Sequence, residues 1–223
     1  MKKIIPFLIP LLRSVIFIIV GLMFSAISNQ SLVQCSRWWS LLCIFSNILT
    51  IFILILVCKS EKTNYMDLIN YKKGQSSVKY IILIVSLMLI LGMIGMYGFG
   101  FLIYGSVPVI MVQPIPVWIA VMNIILLPLT VVFAEMPLYF GYALPRIEKI
   151  TNNKFIAIGY SMFFYALQHS FIPLLFGWQH ILFRFLMFLP LLLVCGILYY
   201  KNRKLVPLMI GHGLLDIATG HKY

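Results

Sequence analysis

Seven stretches of this chain are each long and apolar enough to need a solvent other than water. They lie near residues 10 to 28, 40 to 58, 80 to 104, 116 to 144, 155 to 176, 181 to 200 and 205 to 220. A helix of about 20 apolar residues crosses the hydrocarbon of a bilayer. In lipid, backbone N–H and C=O groups must be satisfied within the chain, which such a run achieves by coiling into a helix. The expectation is an all-α, polytopic transmembrane helix bundle of about seven spans. The only long polar connection, KSEKTNYMDLINYKKGQSSVK at residues 59–79, does not suggest two separately folding units. Residues 1–223 are therefore read as a single integral membrane domain.

Charge supports the same reading. The formal net charge of +12 would suggest a nucleic-acid partner in a soluble chain, but 62% of the residues are hydrophobic and the mean hydropathy is +1.04. The basic residues sit between the apolar runs rather than along one amphipathic face. Lys2 and Lys3 precede the first run, and Lys59, Lys62, Lys72, Lys73 and Lys79 fill the second connection. Arg146, Lys149 and Lys154 belong to the fourth connection and Lys201, Arg203 and Lys204 to the sixth, whereas the others hold only Arg37 and, at the tail, Lys222. That alternation follows the positive-inside rule for a cytoplasmic N-terminus and, with an odd number of spans, an outer C-terminus. The partner predicted from composition is thus the lipid bilayer, with no nucleic acid, and the expected location is the plasma membrane. The opening run has the basic start of a signal peptide, but Arg13 interrupts it and no small-x-small site follows, so it is read as a retained span. Cys35, Cys43, Cys58 and Cys195 show neither metal-type nor framework spacing and read as apolar fillers.

Few ionisable groups lie within the spans. Of the five acidic residues, Glu61, Asp67 and Glu148 fall in connections where water can solvate them, leaving Glu135 and Asp216 in the apolar runs. A carboxylate at that depth costs a few kcal/mol, so it faces a bundle interior and marks a functional site by default. His169 and His212 share the membrane with these acids, while His180 and His221 read as interfacial. At about 1.5 Å per helical residue, Glu135, His169, His212 and Asp216 lie roughly 12–20 Å deep, within one slab. Helical spacing of four places Glu135 with Tyr139, Tyr165 with His169, and His212 with Asp216. Pro137 lacks a backbone donor and frees the carbonyl of Phe133 if the helix continues.

These motifs come in a familiar order. Glu135 in EMPLYFG, Tyr165 and His169 in YALQH, and His212 and Asp216 in HGLLD together resemble the CPBP family of intramembrane proteases, also called the Abi or type II CAAX prenyl endopeptidase family. The resemblance covers a core at residues 116–220 and leaves the N-terminal spans, residues 1–104, outside it. The family's first motif is Glu-Glu-x-x-x-Arg, and here Met136 stands for the second glutamate and Phe140 for the arginine. Losing both members of a pair spaced four apart avoids the unpaired buried charge that losing one would leave.

The resemblance implies an intramembrane endopeptidase that hydrolyses a peptide bond with a glutamate-activated water. It implies Glu135, His169, His212 and Asp216 as catalytic residues and Tyr139 and Tyr165 as supporting ones, with a metal-free site and no cofactor. Zinc stays open as a variant, since two histidines and a carboxylate form a common zinc set. The substrate is expected to be a peptide or a membrane protein; oligomeric state is not readable. The alternative is a non-catalytic scaffold, such as a regulator of a membrane kinase or a peptide-toxin immunity protein. A proton-coupled transporter is a third reading, although no inverted repeat is visible.

Overall fold

The computed structural model describes residues 3–106 and 116–220, and these are helical with short connections. In chain order they form α1 (Ile5–Ser28), α2 (Leu32–Cys35), α3 (Trp39–Ser60), α4 (Val78–Tyr104), α5 (Val117–Met136) and a π-helical segment (Pro137–Ala143). α6 (Leu144–Thr151), α7 (Lys154–His169), α8 (Trp178–Asn202) and α9 (Val206–Gly220) complete them. Single 3₁₀ turns occur at Ser36–Trp38 and Tyr65–Leu68. Lys2, His221 and Lys222 lie outside the described residues.

Five helical stretches among the described residues are long and apolar enough to cross a bilayer: Ile5–Ser28, Leu32–Ser60, Val78–Tyr104, Val117–Thr151 and Trp178–Asn202. Val206–Ala218 is a shorter apolar helix, and α7 is the seventh element of the polytopic bundle. Polar side chains set several boundaries. Ser77 caps α4 by accepting the Tyr80 N–H at 3.3 Å, and Gly105, at φ +69°, ends that helix in the left-handed region. Asn152 ends α6 at φ +51°. The next residue, Asn153, starts α7 by accepting the N–H groups of Phe155 and Ile156 at 2.9 and 3.2 Å.

Two boundaries differ from expectation. The fourth span continues through the π segment and α6 to Thr151, so Arg146, Glu148 and Lys149 stand on a helix rather than in a loop. α7 ends at His169, not near 176. The N–H groups of Ser170, Phe171 and Ile172 turn back to the carbonyls of Leu167, Gln168 and His169 in tight turns, and Pro173 has no N–H with which to resume the helix.

The seven principal helices pack in a closed cycle, α1 on α3, then α5, α9, α4, α8 and α7, which returns to α1. Two close approaches in the bundle depend on glycine. A Cβ at Gly95 on α4 would overlap the Met187 carbonyl of α8, and one at Gly141 in the π segment would overlap the Leu68 carbonyl of the 61–77 connection. Both neighbours are backbone and cannot swing aside. Gly141→Val is expected to lower stability by about 1–3 kcal/mol, the usual cost of overpacking, as measured by thermal unfolding in detergent.

The lysine- and arginine-rich connections gather at one end of the bundle. Glu61 accepts from Arg146 Nε and Nη2 at 2.9 and 2.6 Å and from the Tyr142 hydroxyl at 2.8 Å. Glu148 pairs with Arg203 at 2.7 Å, whose carbonyl accepts from the Asn70 amide at 3.2 Å. Tyr160, near the start of α7, donates to the Phe7 carbonyl at 2.8 Å and brings the start of α1 to the same end. Glu61 and Glu148 are therefore not simply solvated, as expected, but paired with arginines from distant stretches of the chain.

Candidate active site

α5 runs toward this end with only Asn123 and Thr130 as polar side chains before Glu135, whose side chain is 1% exposed. Two residues later Pro137 withholds an N–H from the Phe133 carbonyl. The hydroxyl of Tyr65, reaching in from the 61–77 connection, donates to that carbonyl. The backbone then runs on as a π turn from Pro137 to Ala143, a wider coil that is frequent at functional sites. Tyr65→Phe is expected to cost about 1–3 kcal/mol by leaving a part-buried carbonyl without a donor, measured as a lower unfolding midpoint in detergent.

The side chains singled out in the sequence converge here. Glu135 Oε2 lies 4.0 Å from His169 Nε2 and 3.9 Å from His212 Nε2. Asp216 Oδ2 lies 3.5 Å from the same His212 nitrogen, one helical turn along α9. The two separations from Glu135 exceed direct hydrogen-bond length and match the span that one water molecule bridges. Asp216 is the most exposed of the four, at 25% against 9% for His169, 3% for His212 and 1% for Glu135.

Both imidazoles are held by neighbours. The Tyr165 hydroxyl and His212 Nδ1 form a hydrogen bond of 3.3 Å; with the hydroxyl donating, His212 Nε2 carries the proton and turns it toward the carboxylates. His169 stacks on Phe188 of α8 with centroids 3.8 Å apart and planes 14° from parallel. The Arg184 guanidinium lies 5.0 Å from the other ring centroid of that stack, Phe188, and its Nε donates to the His169 carbonyl at 3.3 Å. Tyr139 stacks on Tyr165 at 4.3 Å and 7° and donates to Gln168 Oε1 at 2.9 Å. Tyr139 thus supports α7 rather than touching the carboxylate.

Met136 and Phe140, the departures from the Glu-Glu-x-x-x-Arg motif, are wholly buried. The Phe140 ring meets Tyr165 and Tyr199 edge-on at 5.9 and 5.5 Å, so apolar packing fills the position of the missing arginine.

A cation does reach Glu135, from α1. Arg13, 0% exposed, places Nη2 3.5 Å from Glu135 Oε1 and 2.5 Å from Asn47 Oδ1 on α3. The Asn47 amide in turn donates to Thr130 Oγ1 on α5 at 3.1 Å. In the sequence Arg13 bears only on the signal-peptide reading, and Arg184, Asn47 and Tyr65 do not stand out. The signal for Arg13 was present: the insertion cost that singled out Glu135 applies equally to an arginine inside an apolar run. Six of the seven ring helices, all but α4, thus supply a side chain described in this centre.

Among the described residues, no group of three or more His, Cys, Asp or Glu side chains is arranged to hold a metal ion. No curated protein and no solved structure matches the chain. Residues 116–218 match the family model described as Rce1-like, type II CAAX prenyl endopeptidase Rce1-like, the family that the motif order resembles; the chain is a multi-pass membrane protein whose site-bearing region is similar to that family.

Proposed function

We propose that the protein is an intramembrane endopeptidase in which Glu135 activates a water molecule for attack on a peptide bond. The observation that carries this reading is the approach of one buried carboxylate oxygen, Glu135 Oε2, to imidazole nitrogens from two other helices at 4.0 and 3.9 Å. A water held between Glu135 and His169 gives its proton to Glu135 as its oxygen adds to the scissile carbonyl carbon. His212 Nε2–H, with Asp216 beside it, faces the oxygen that becomes negative. The C–N bond then breaks as the leaving nitrogen takes the proton from Glu135, so one water is consumed and an acid and an amine are released.

The reaction in this reading needs no metal. Arg13 already brings a positive charge to Glu135, which opposes a second cation at the same carboxylate. The substrate class is a membrane-embedded peptide or the tail of a membrane protein. Gathering of the basic connections at one end supports a cytoplasmic N-terminus by the positive-inside rule; residence in the plasma membrane belongs to the same proposal.

The test is cleavage of a panel of membrane peptides and prenylated C-terminal tails by purified protein in detergent, read as new termini by mass spectrometry. Cleavage that survives a chelator is expected. Wild type that cuts nothing would instead favour a non-catalytic scaffold, and activity lost to the chelator would favour zinc.

A further inference from the structure

Arg13 poses a problem of charge. Its side chain is wholly buried at mid-helix, where an unpaired guanidinium costs several kcal/mol. Glu135 is the one carboxylate with which it forms an ion pair among the described residues. Its Nε and Nη1 have no hydrogen-bond partner there, so the contacts that fix it are those of Nη2: Glu135, Asn47 and, at 3.8 Å, Cys43 Sγ. Asn47 hands the restraint on to Thr130, five residues before Glu135 on the same helix. A polar path thus leaves α5 at Thr130, crosses α3 and α1, and returns to α5 at Glu135. It holds one carboxylate oxygen, Oε1, and leaves the other, Oε2, facing both imidazoles.

We propose that Arg13 is the positioning residue of the Glu135 carboxylate, supplied by a helix that lies outside the matched region. This rests on the proteolytic reading of the same site. The cation does not come from the helix of Glu135, where Phe140 occupies the motif's arginine position. By anchoring Oε1, Arg13 fixes the rotation of the carboxylate and so the direction in which Oε2 takes a proton. Misplacement of a reacting group by about 1 Å costs roughly 100-fold in rate.

Two arms test the proposal. With a peptide that the wild type cleaves, Arg13→Gln is expected to lower kcat by about 100-fold with KM changed less than about threefold, and Arg13→Lys to recover part of the loss. Wild-type kcat in Arg13→Gln, or a loss confined to KM, overturns the proposal. The second arm needs no substrate: the unfolding midpoint is measured in detergent for Arg13→Gln, Glu135→Gln and the double variant. The double variant is expected to be more stable than the sum of the two losses, since it removes both buried charges together. Additive losses overturn the coupling. If the wild type cleaves nothing, the proteolytic reading fails and the unfolding cycle alone judges the pair. Where Arg13→Gln does not accumulate, Asn47→Leu removes the anchor without changing charge. A fall in kcat of roughly tenfold supports the proposal, and an unchanged kcat overturns it.

Discussion

Glu135→Gln is expected to abolish peptide cleavage while the protein still accumulates in the membrane. Glutamine keeps the size and most of the packing of the buried side chain, yet it cannot take a proton from water. Removing a general base costs about 100- to 10,000-fold, and no second carboxylate lies where Oε2 does. Asp216 contacts His212 at 3.5 Å but stands a turn further along α9 and is more exposed. The substitution also leaves Arg13 without its anionic partner, so the unfolding midpoint falls as well. A purified, folded Glu135→Gln variant that cuts as fast as wild type would sink the mechanism, and a non-catalytic role would then account better for the site.

His212→Ala carries the second large expected loss. His212 Nε2 lies 3.5 Å from Asp216 and 3.9 Å from Glu135, and its Nδ1 bonds Tyr165. The ring is therefore oriented from both sides, as a donor to a developing oxyanion must be. Losing one such donor costs about 100- to 1,000-fold in kcat. The split between kinetic constants is informative, because a donor used in the transition state lowers kcat and leaves KM nearly unchanged. Tyr165→Phe keeps the stacked ring and removes only the hydroxyl that bonds Nδ1, so a much smaller loss of about 2- to 10-fold is expected. Equal losses in the two variants would mean that the Tyr165 hydroxyl's bond to Nδ1 carries the whole of the His212 contribution.

The polar centre was legible because lipid makes ionisable groups conspicuous. Glu135, His169, His212 and Asp216 stood out by the cost of burying them, and helical spacing paired His212 with Asp216 on one face. The freed Phe133 carbonyl was legible too, since proline chemistry is local. Its partner was not: Tyr65 lies in the 61–77 connection, and no local pattern says where a loop tyrosine docks. The same limit explains Glu61 and Glu148, which a reading of neighbouring residues leaves in water and which the fold pairs with Arg146 and Arg203. The early end of α7 depends on Pro173 acting within an otherwise apolar run, where hydropathy alone sees no interruption. Arg13 differs from these, because its burial cost is visible in the sequence and its partner is not. A buried acid requires a cation, and the sequence does not say which helix brings it.

The path from Thr130 through Asn47 and Arg13 to Glu135 also limits how far the site can be transplanted. A fragment begun at residue 116 would keep every motif side chain yet strip the acid of its guanidinium, leave the proline-bent turn without the phenol that mends it, and remove three staves of the surrounding wall. Grafting that fragment onto a foreign scaffold would export the chemistry's letters without its grammar.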